Sequence, residues 1–124
     1  MPLPVGNWKA NVNGTEGALE IRTPSEQGLF EGALLNKPIK GVWNEGGQTI
    51  AFYAVLPGGG EMARFQAFFS GCLFSTPPNP EPGRDRDFTL CGIASTLPQT
   101  DYEPMPAHAR RTTFGWMAQI RQID

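Results

Sequence analysis

The chain has 124 residues, a formal charge of −2 and a pI near 5.4, with 40% hydrophobic and 18% charged residues. This length suits a single domain, and the composition is too apolar for a disordered chain. The scattered basic residues argue against a nucleic-acid surface, and no apolar run is long enough for a membrane span. We therefore expect one domain over residues 1–124 that binds neither nucleic acid nor membrane.

Short segments with period-two alternation, separated by turn signals, predict an all-β fold. Asn13-Gly14 is a strong hairpin signal, Pro57-Gly58-Gly59-Gly60 stops a later strand, and helical periodicity is almost absent. We predict an eight-stranded antiparallel up-and-down β-barrel. Its predicted strands are Asn7–Val12, Gly17–Arg22, Gly28–Leu35, Ile39–Asn44, Gln48–Leu56, Met62–Ser75, Asp87–Thr96 and Thr112–Ile123.

Alternation also predicts which side chains face the interior. The predicted inward rows are Phe30, Gly32 and Leu34 on the third strand, Phe65, Ala67, Phe69, Gly71 and Leu73 on the sixth, and Phe88, Leu90, Gly92 and Ala94 on the seventh. Each row is apolar or small. The glycines leave room for strand coiling or for a cavity.

Two long connections, Thr76–Arg86 and Leu97–Arg111, are rich in proline, which disfavours a strand ladder. The second carries Asp101-Tyr102-Glu103, His108 and Arg110-Arg111. A solvated loop is the favoured interpretation of this cluster, and a charged lid over a cavity is the alternative.

Five short motifs occur in the order found in one family of barrels. Gly6-Asn7-Trp8 is the Gly-x-Trp element of calycins, and Gly28-Leu29-Phe30-Glu31-Gly32 resembles the Gly-x-Phe-x-Gly element of avidin and streptavidin. Ile39-Lys40-Gly41-Val42-Trp43, Ile50-Ala51-Phe52 and Phe69-Ser70-Gly71 resemble the strands that follow. The resemblance runs from Gly6 to about Phe74, and more loosely to Thr96, and implies an avidin-like barrel that binds a small molecule.

Avidins hold biotin with an Asn, a Ser and a Tyr, and enclose its rings with several Trp. Asn11 lies near the Asn position but one residue late, and Leu34 occupies the Tyr position. Two Trp positions fall on Leu90 and on Val55 or Leu56. Because these replacements remove hydrogen bonds that a buried polar ligand needs, we do not expect tight biotin binding.

We therefore predict a non-enzymatic barrel, without cofactor, whose apolar cavity binds a small hydrophobic molecule. Asn11 and Tyr53 are the candidate polar contacts, although parity with Phe52 favours an outward Tyr53. The expected cavity walls are Phe30, Leu34, Phe52, Phe69, Leu90 and Trp116.

Two other functions remain open. Small metalloprotease inhibitors use barrels of this size but need an exposed N-terminal segment, and Pro2-Leu3-Pro4 is short for that. A calycin-type isomerase would need an ionisable residue inside the barrel, and the predicted inward rows contain none.

The remaining candidate residues are structural or lie at an interface. Trp8 is expected to plug one end of the barrel. Cys72 and Cys91 are the only cysteines and should lie roughly opposite each other, as reduced thiols in preference to a disulfide. One histidine and two cysteines without ligand spacing do not make a metal site.

Phe68, Cys72 and Ile93 fall on the predicted outer face of the sixth and seventh strands. Apolar side chains grouped there suggest a buried interface. We predict a homo-dimer or a higher homo-oligomer, which is also how avidin-like proteins associate. The chain as given has no signal-peptide pattern, which slightly favours the cytoplasm but leaves the localisation unknown.

Overall fold

The computed structural model describes residues 1–57, 64–76, 85–99 and 112–123, which form a closed antiparallel barrel. Each strand pairs with its neighbours in sequence, and β1 pairs with β8, so the predicted all-β up-and-down barrel is confirmed. The part of the chain described contains no helix, and so none that could cross a membrane. The strands are β1 Gly6–Val12, β2 Thr15–Ile21, β3 Leu29–Leu34, β4 Lys37–Asn44, β5 Thr49–Pro57, β6 Arg64–Thr76, β7 Asp85–Gln99 and β8 Thr112–Ile123.

Alternate residues of every strand meet in one lumen, as the period of two requires. In β1, for example, Trp8, Ala10 and Val12 are buried while Lys9 is exposed. The lumen holds the apolar core, whose buried members on β2 to β8 are Leu19, Ile21, Phe30, Leu34, Ile39, Trp43, Ile50, Phe52, Ala54, Ala67, Phe69, Leu73, Phe88, Leu90, Ala94, Trp116 and Ala118.

Two tight hairpins set the register of β1 with β2 and of β3 with β4. Asn13 and Gly14 have φ of 51° and 91°, and the Asn11 side-chain oxygen accepts a 2.8 Å hydrogen bond from the Gly14 N–H. The second hairpin turns at Leu35 and Asn36, with φ of 50° and 66°. Both turns have positive φ at two successive residues, the conformation that matches the right-handed twist of the flanking strands.

Prolines at strand ends explain two differences from the predicted boundaries. Pro38 lies inside β4, opposite Ala33, and Pro98 lies near the end of β7, opposite Phe65. Proline cannot donate to a ladder, but it is tolerated at a strand end. β7 therefore continues past the predicted end at Thr96 to Gln99, and it also begins two residues earlier than predicted, at Asp85. Residues 100–111, including the cluster from Asp101 to Arg111, lie outside the described residues.

The N-terminal segment closes the end of the barrel where β1 begins, here called the Gly6 end. Leu3 is only 6% exposed, and the indole N–H of the buried Trp8 donates a 3.2 Å hydrogen bond to the Pro4 carbonyl. The Gln48 side-chain amide donates to the Met1 carbonyl at 2.9 Å. Trp8 is thus buried at this end of the barrel, and the segment before it packs over the same end.

Glycines allow β6 and β7 to coil tightly where they face each other. Gly71 and Gly92 are direct cross-strand partners. A Cβ atom on Gly92 would lie 2.6 Å from the Gly71 Cα and closer still to the Ser70 carbonyl oxygen. No larger residue fits without moving backbone, so Gly92 is required by the close approach of the strands.

Replacing Gly92 with alanine should therefore lower the free energy of unfolding by about 2 kcal/mol or more, because the added methyl collides with backbone. Gly115 on β8 is the matched control, since a Cβ there would meet its nearest atom at 3.9 Å. Gly115→Ala should leave stability unchanged or raise it by about 0.5 kcal/mol. Urea unfolding followed by tryptophan fluorescence measures both values, and equal effects of the two substitutions would contradict the steric explanation.

Candidate functional site

All six residues predicted as cavity walls lie buried in the lumen. They come from five strands, which the closed barrel brings together around one axis. The six are Phe30, Leu34, Phe52, Phe69, Leu90 and Trp116. The barrel therefore brings the six residues predicted as cavity walls into the same lumen.

Three aromatic side chains form a layer across the middle of the lumen. The rings of Phe52 and Phe69 are stacked with centroids 4.8 Å apart and planes 7° apart. Trp116 meets both rings edge-on, with centroid distances of 5.4 Å to Phe52 and 5.8 Å to Phe69. Stacked and edge-to-face contacts at these distances are favourable, so the layer is well defined.

The Trp116 indole is fixed by hydrogen bonds as well as by packing. Its N–H donates to the Ser70 carbonyl at 3.1 Å and to the Ile93 carbonyl at 3.2 Å. The ring lies against Gly71, where a Cβ would come within 2.9 Å of it. Because its polar group is satisfied by backbone, Trp116 presents an apolar surface to the lumen.

The side chains on the two sides of this aromatic layer differ in size. Towards the Gly6 end the strands contribute large residues, which include Trp8, Ile21, Trp43, Ile50, Leu73 and Phe88. The opposite end, where β1 finishes at Val12, is here called the Val12 end. In the strand halves that reach the Val12 end, four inward positions are alanine, namely Ala10, Ala54, Ala67 and Ala94, and the larger residues there are Val12, Leu34 and Phe114.

The strand register brings two of these alanines next to a hydroxyl group. Ala54 pairs with Ala67, and Ala67 pairs with Thr96. Among the described residues Thr96 is the only buried polar one, and none is a buried charge. We call the part of the lumen between the aromatic layer and the Val12 end, including these small residues and Thr96, the alanine chamber.

The two predicted polar contacts do not face the lumen. Asn11 lies between the buried Ala10 and Val12, and its side-chain oxygen is taken by the Gly14 N–H in the hairpin. Tyr53 is 41% exposed on the outer surface of β5. The hairpin signal Asn13-Gly14 could have shown that Asn11 serves the turn, because Asn side chains commonly bind the backbone of an adjacent turn. Val55, Leu56 and Phe65 belong to described strands, but their side chains are not among those that the structure describes.

The outer surface of β3 to β7 carries an apolar face that the sequence predicted only in part. Phe68 is 50% exposed and Ile93 is 59% exposed, as expected for outward positions. They border a groove of about 610 Å³. We call this surface the outer apolar face and define it by Leu29, Val42, Ala51, Tyr53, Phe68 and Ile93.

The part of the outer apolar face formed by β5, β6 and β7 contains no charged side chain among the described residues. The described outward residues of β5, β6 and β7 from Thr49 to Tyr53, Phe68 to Phe74 and Thr89 to Ser95 include no charged side chain. On β4, Lys40 also lines the groove as the cross-strand partner of Tyr53, and its ammonium lies 3.8 Å from a Glu31 carboxylate oxygen. Depletion of charge at the centre of an apolar patch is characteristic of protein interfaces.

Cys72 and Cys91 are free thiols and direct partners in the β6–β7 ladder. Cys72 is exposed and Cys91 is half-buried, both next to the outer apolar face and outside the lumen. No group of three metal-ligating side chains occurs within the described segments.

Among the described residues, the one carboxylate with a shifted pKa, Asp87, lies away from the lumen. Arg121 on β8 binds Asp87 on β7 through two hydrogen bonds of 2.7 and 3.2 Å. These hydrogen bonds, with the charge of the guanidinium, hold the pKa of Asp87 below its ordinary value. Because both groups are exposed, this pair joins two strands at the surface and is not a candidate acid–base centre.

The chain matches no protein-family model, no curated protein and no solved structure with which it was compared. The closed eight-stranded barrel is therefore established by strand pairing, while the likeness to avidins rests on the sequence motifs described above.

Trp116→Phe should lower the free energy of unfolding by about 1–3 kcal/mol, because it removes a buried donor shared by two carbonyls and leaves a small void. Trp43→Phe is the matched control: it makes the same change of ring at a buried site whose indole forms no hydrogen bond within the described residues. Chemical unfolding monitored by circular dichroism compares the two. A larger loss at Trp43 would show that the indole hydrogen bonds contribute little.

Proposed function

We propose that this protein is an avidin-like binding barrel that holds a small, uncharged, mostly hydrophobic molecule in the alanine chamber. The observation that carries the proposal is the asymmetry of the lumen. Large side chains and the buried Trp8 fill the Gly6 end, whereas the half towards the Val12 end combines four alanines with Val12, Leu34 and Phe114. Small residues on a barrel wall leave space that a guest can occupy.

The lining of the alanine chamber selects the class of ligand. Its floor is the stacked pair Phe52 and Phe69, which offers a flat apolar surface to a ring. No described residue supplies a buried charge, so a charged ligand would lose its hydration without compensation. An apolar ring system with at most one or two polar atoms fits these conditions best.

Tight biotin binding is not part of the proposal. Biotin's ureido group needs several hydrogen-bonding side chains around it, whereas Leu34 is a buried aliphatic residue and Asn11 is engaged in its turn. A site that lacks such partners discriminates strongly against a polar ligand. The fold and the ligand of a barrel family need not go together.

A binding module is also favoured over the two alternatives. An inhibitor acting through its N-terminal segment would need that segment exposed, whereas Leu3 is buried and the Pro4 carbonyl accepts the Trp8 hydrogen bond. An isomerase would need an ionisable group in the lumen, and none of the described lumen residues is ionisable.

An uncharged fluorescent probe, N-phenyl-1-naphthylamine, tests the alanine chamber directly. The protein should bind it saturably with a micromolar dissociation constant, and Ala54→Leu should weaken binding at least tenfold by filling the chamber, equivalent to about 1.4 kcal/mol. Ala33→Leu on β3, which adds the same atoms at an outward position, should leave binding unchanged. Fluorescence titration gives the constants, with biotin as a competitor that should not displace the probe below micromolar concentrations.

The thermal stability of Ala54→Leu provides an independent check. If the chamber has room, the larger side chain is accommodated and the melting temperature is kept or raised. If the lumen is already full, the leucine is overpacked and costs about 1–3 kcal/mol. Loss of stability combined with unsaturable probe binding by the wild type would rule out the chamber.

We also propose that the protein forms a homo-oligomer through the outer apolar face. A second copy is the favoured occupant because the face is uncharged at its centre and combines protruding Phe68 and Ile93 with a groove. A two-fold axis would place the same patch of each copy against the other, which such a self-complementary surface permits.

Ile93→Glu should therefore raise the dissociation constant of the oligomer at least 30-fold, or about 2 kcal/mol, since a buried unpaired carboxylate opposes association. Gln119→Glu on β8 also adds one exposed negative charge, but away from this face, and should have little effect. Sedimentation velocity over a range of concentrations gives both constants. A wild-type protein that stays monomeric at the highest concentration would refute the proposed interface.

A further inference from the structure

The only two cysteines of the chain lie directly opposite each other on the outer surface. The β6–β7 register pairs Cys72 with Cys91, and both sulfurs are free. We propose that these residues form a redox-active dithiol that closes reversibly into an intramolecular disulfide. This modification site is separate from the alanine chamber and does not depend on the proposed ligand.

Strand pairing brings the two residues within reach of each other. Direct partners in an antiparallel ladder have Cα atoms about 4.5 or 5.5 Å apart, and both values lie within the range found for disulfides, about 4.4–6.8 Å. The strands are also close at the next pair inwards, where a Cβ on Gly92 would lie 2.6 Å from the Gly71 Cα. Joining the sulfurs therefore needs only a local adjustment of β6 and β7.

The same geometry makes the bond reversible. Cβ atoms of direct cross-strand partners are typically about 4.5–5.5 Å apart, whereas a relaxed disulfide prefers about 3.5–4.5 Å. Closing the bond therefore draws β6 and β7 together locally and leaves it strained. Strained and exposed disulfides are the ones that cellular thiols reduce most readily.

The oxidant is a low-molecular-weight disulfide such as oxidised glutathione. Because Cys72 is more exposed than Cys91, it reacts first. The exposed Cys72 thiolate attacks one sulfur of the oxidant, forms a mixed disulfide and releases the first small thiolate. The Cys91 thiolate then attacks the Cys72 sulfur and displaces the second. Two protein thiols are oxidised, one small disulfide is reduced to two thiols, and the protons lost by the cysteines pass to the released thiolates.

The site also lies on the same strands as the outer apolar face. Cys72 and Cys91 are one outward position along from Ser70 and Ile93, which are themselves direct partners. Association through that face would shield Cys72 from the oxidant. The reaction is therefore followed both in the wild type and in Ile93→Glu, so that shielding and lack of reactivity are distinguished.

The test equilibrates the reduced full-length protein with glutathione buffers from fully reduced to fully oxidised, then labels free thiols with iodoacetamide. Intact mass spectrometry should show two labels per chain in reducing buffer and none in oxidising buffer, with the mass of two hydrogens lost. Cys72→Ser and Cys91→Ser should instead keep one thiol that is labelled or carries one glutathione.

Three results would overturn the proposal. These are two labels in every buffer for both the wild type and Ile93→Glu, a disulfide that joins two chains, and a bond that survives the most reducing buffer. If the wild-type thiols resist oxidation while those of Ile93→Glu pass from two labels to none, the result supports the dithiol and shows that self-association covers it.

Discussion

The pairing of β1 with β8 is the contact on which the rest of the molecule depends. Lys9 to Val12 meet Trp116 to Gln119, so opposite ends of the chain are joined in one ladder. Without this closure the inward rows of eight strands would form one side of an open, curved sheet. With it they enclose a lumen, and Trp116 is held beside Val12 at the level where the large residues give way to alanines.

Local chemistry explains why the barrel could be predicted from the sequence. The alternation of Phe69, Gly71 and Leu73 with outward residues is a property of the strand itself and needs no knowledge of its partners. The Asn13-Gly14 turn is equally local. Strand existence, inward parity and the outward positions of Phe68 and Ile93 therefore follow from short segments, whereas the prediction for Trp8 rests on the Gly-x-Trp motif.

What could not be predicted depends on register, which is a long-range property. That Ala54, Ala67 and Thr96 lie in one row requires the exact pairing of three strands. Asn11 was assigned to the ligand by family resemblance, but its turn determines where its side chain points. Pro38 and Pro98 fall outside the predicted strands but inside β4 and β7, because tolerance of proline depends on whether a neighbouring strand needs its N–H.

The closed ladder also limits how this protein can meet other proteins. An open sheet can bind a partner through main-chain hydrogen bonds from its edge strand. Such binding depends only weakly on the partner's side chains. Here every strand already has a neighbour on both sides. Within the described strands, recognition is therefore left to side chains on the curved wall, where a single substitution can decide whether a partner binds.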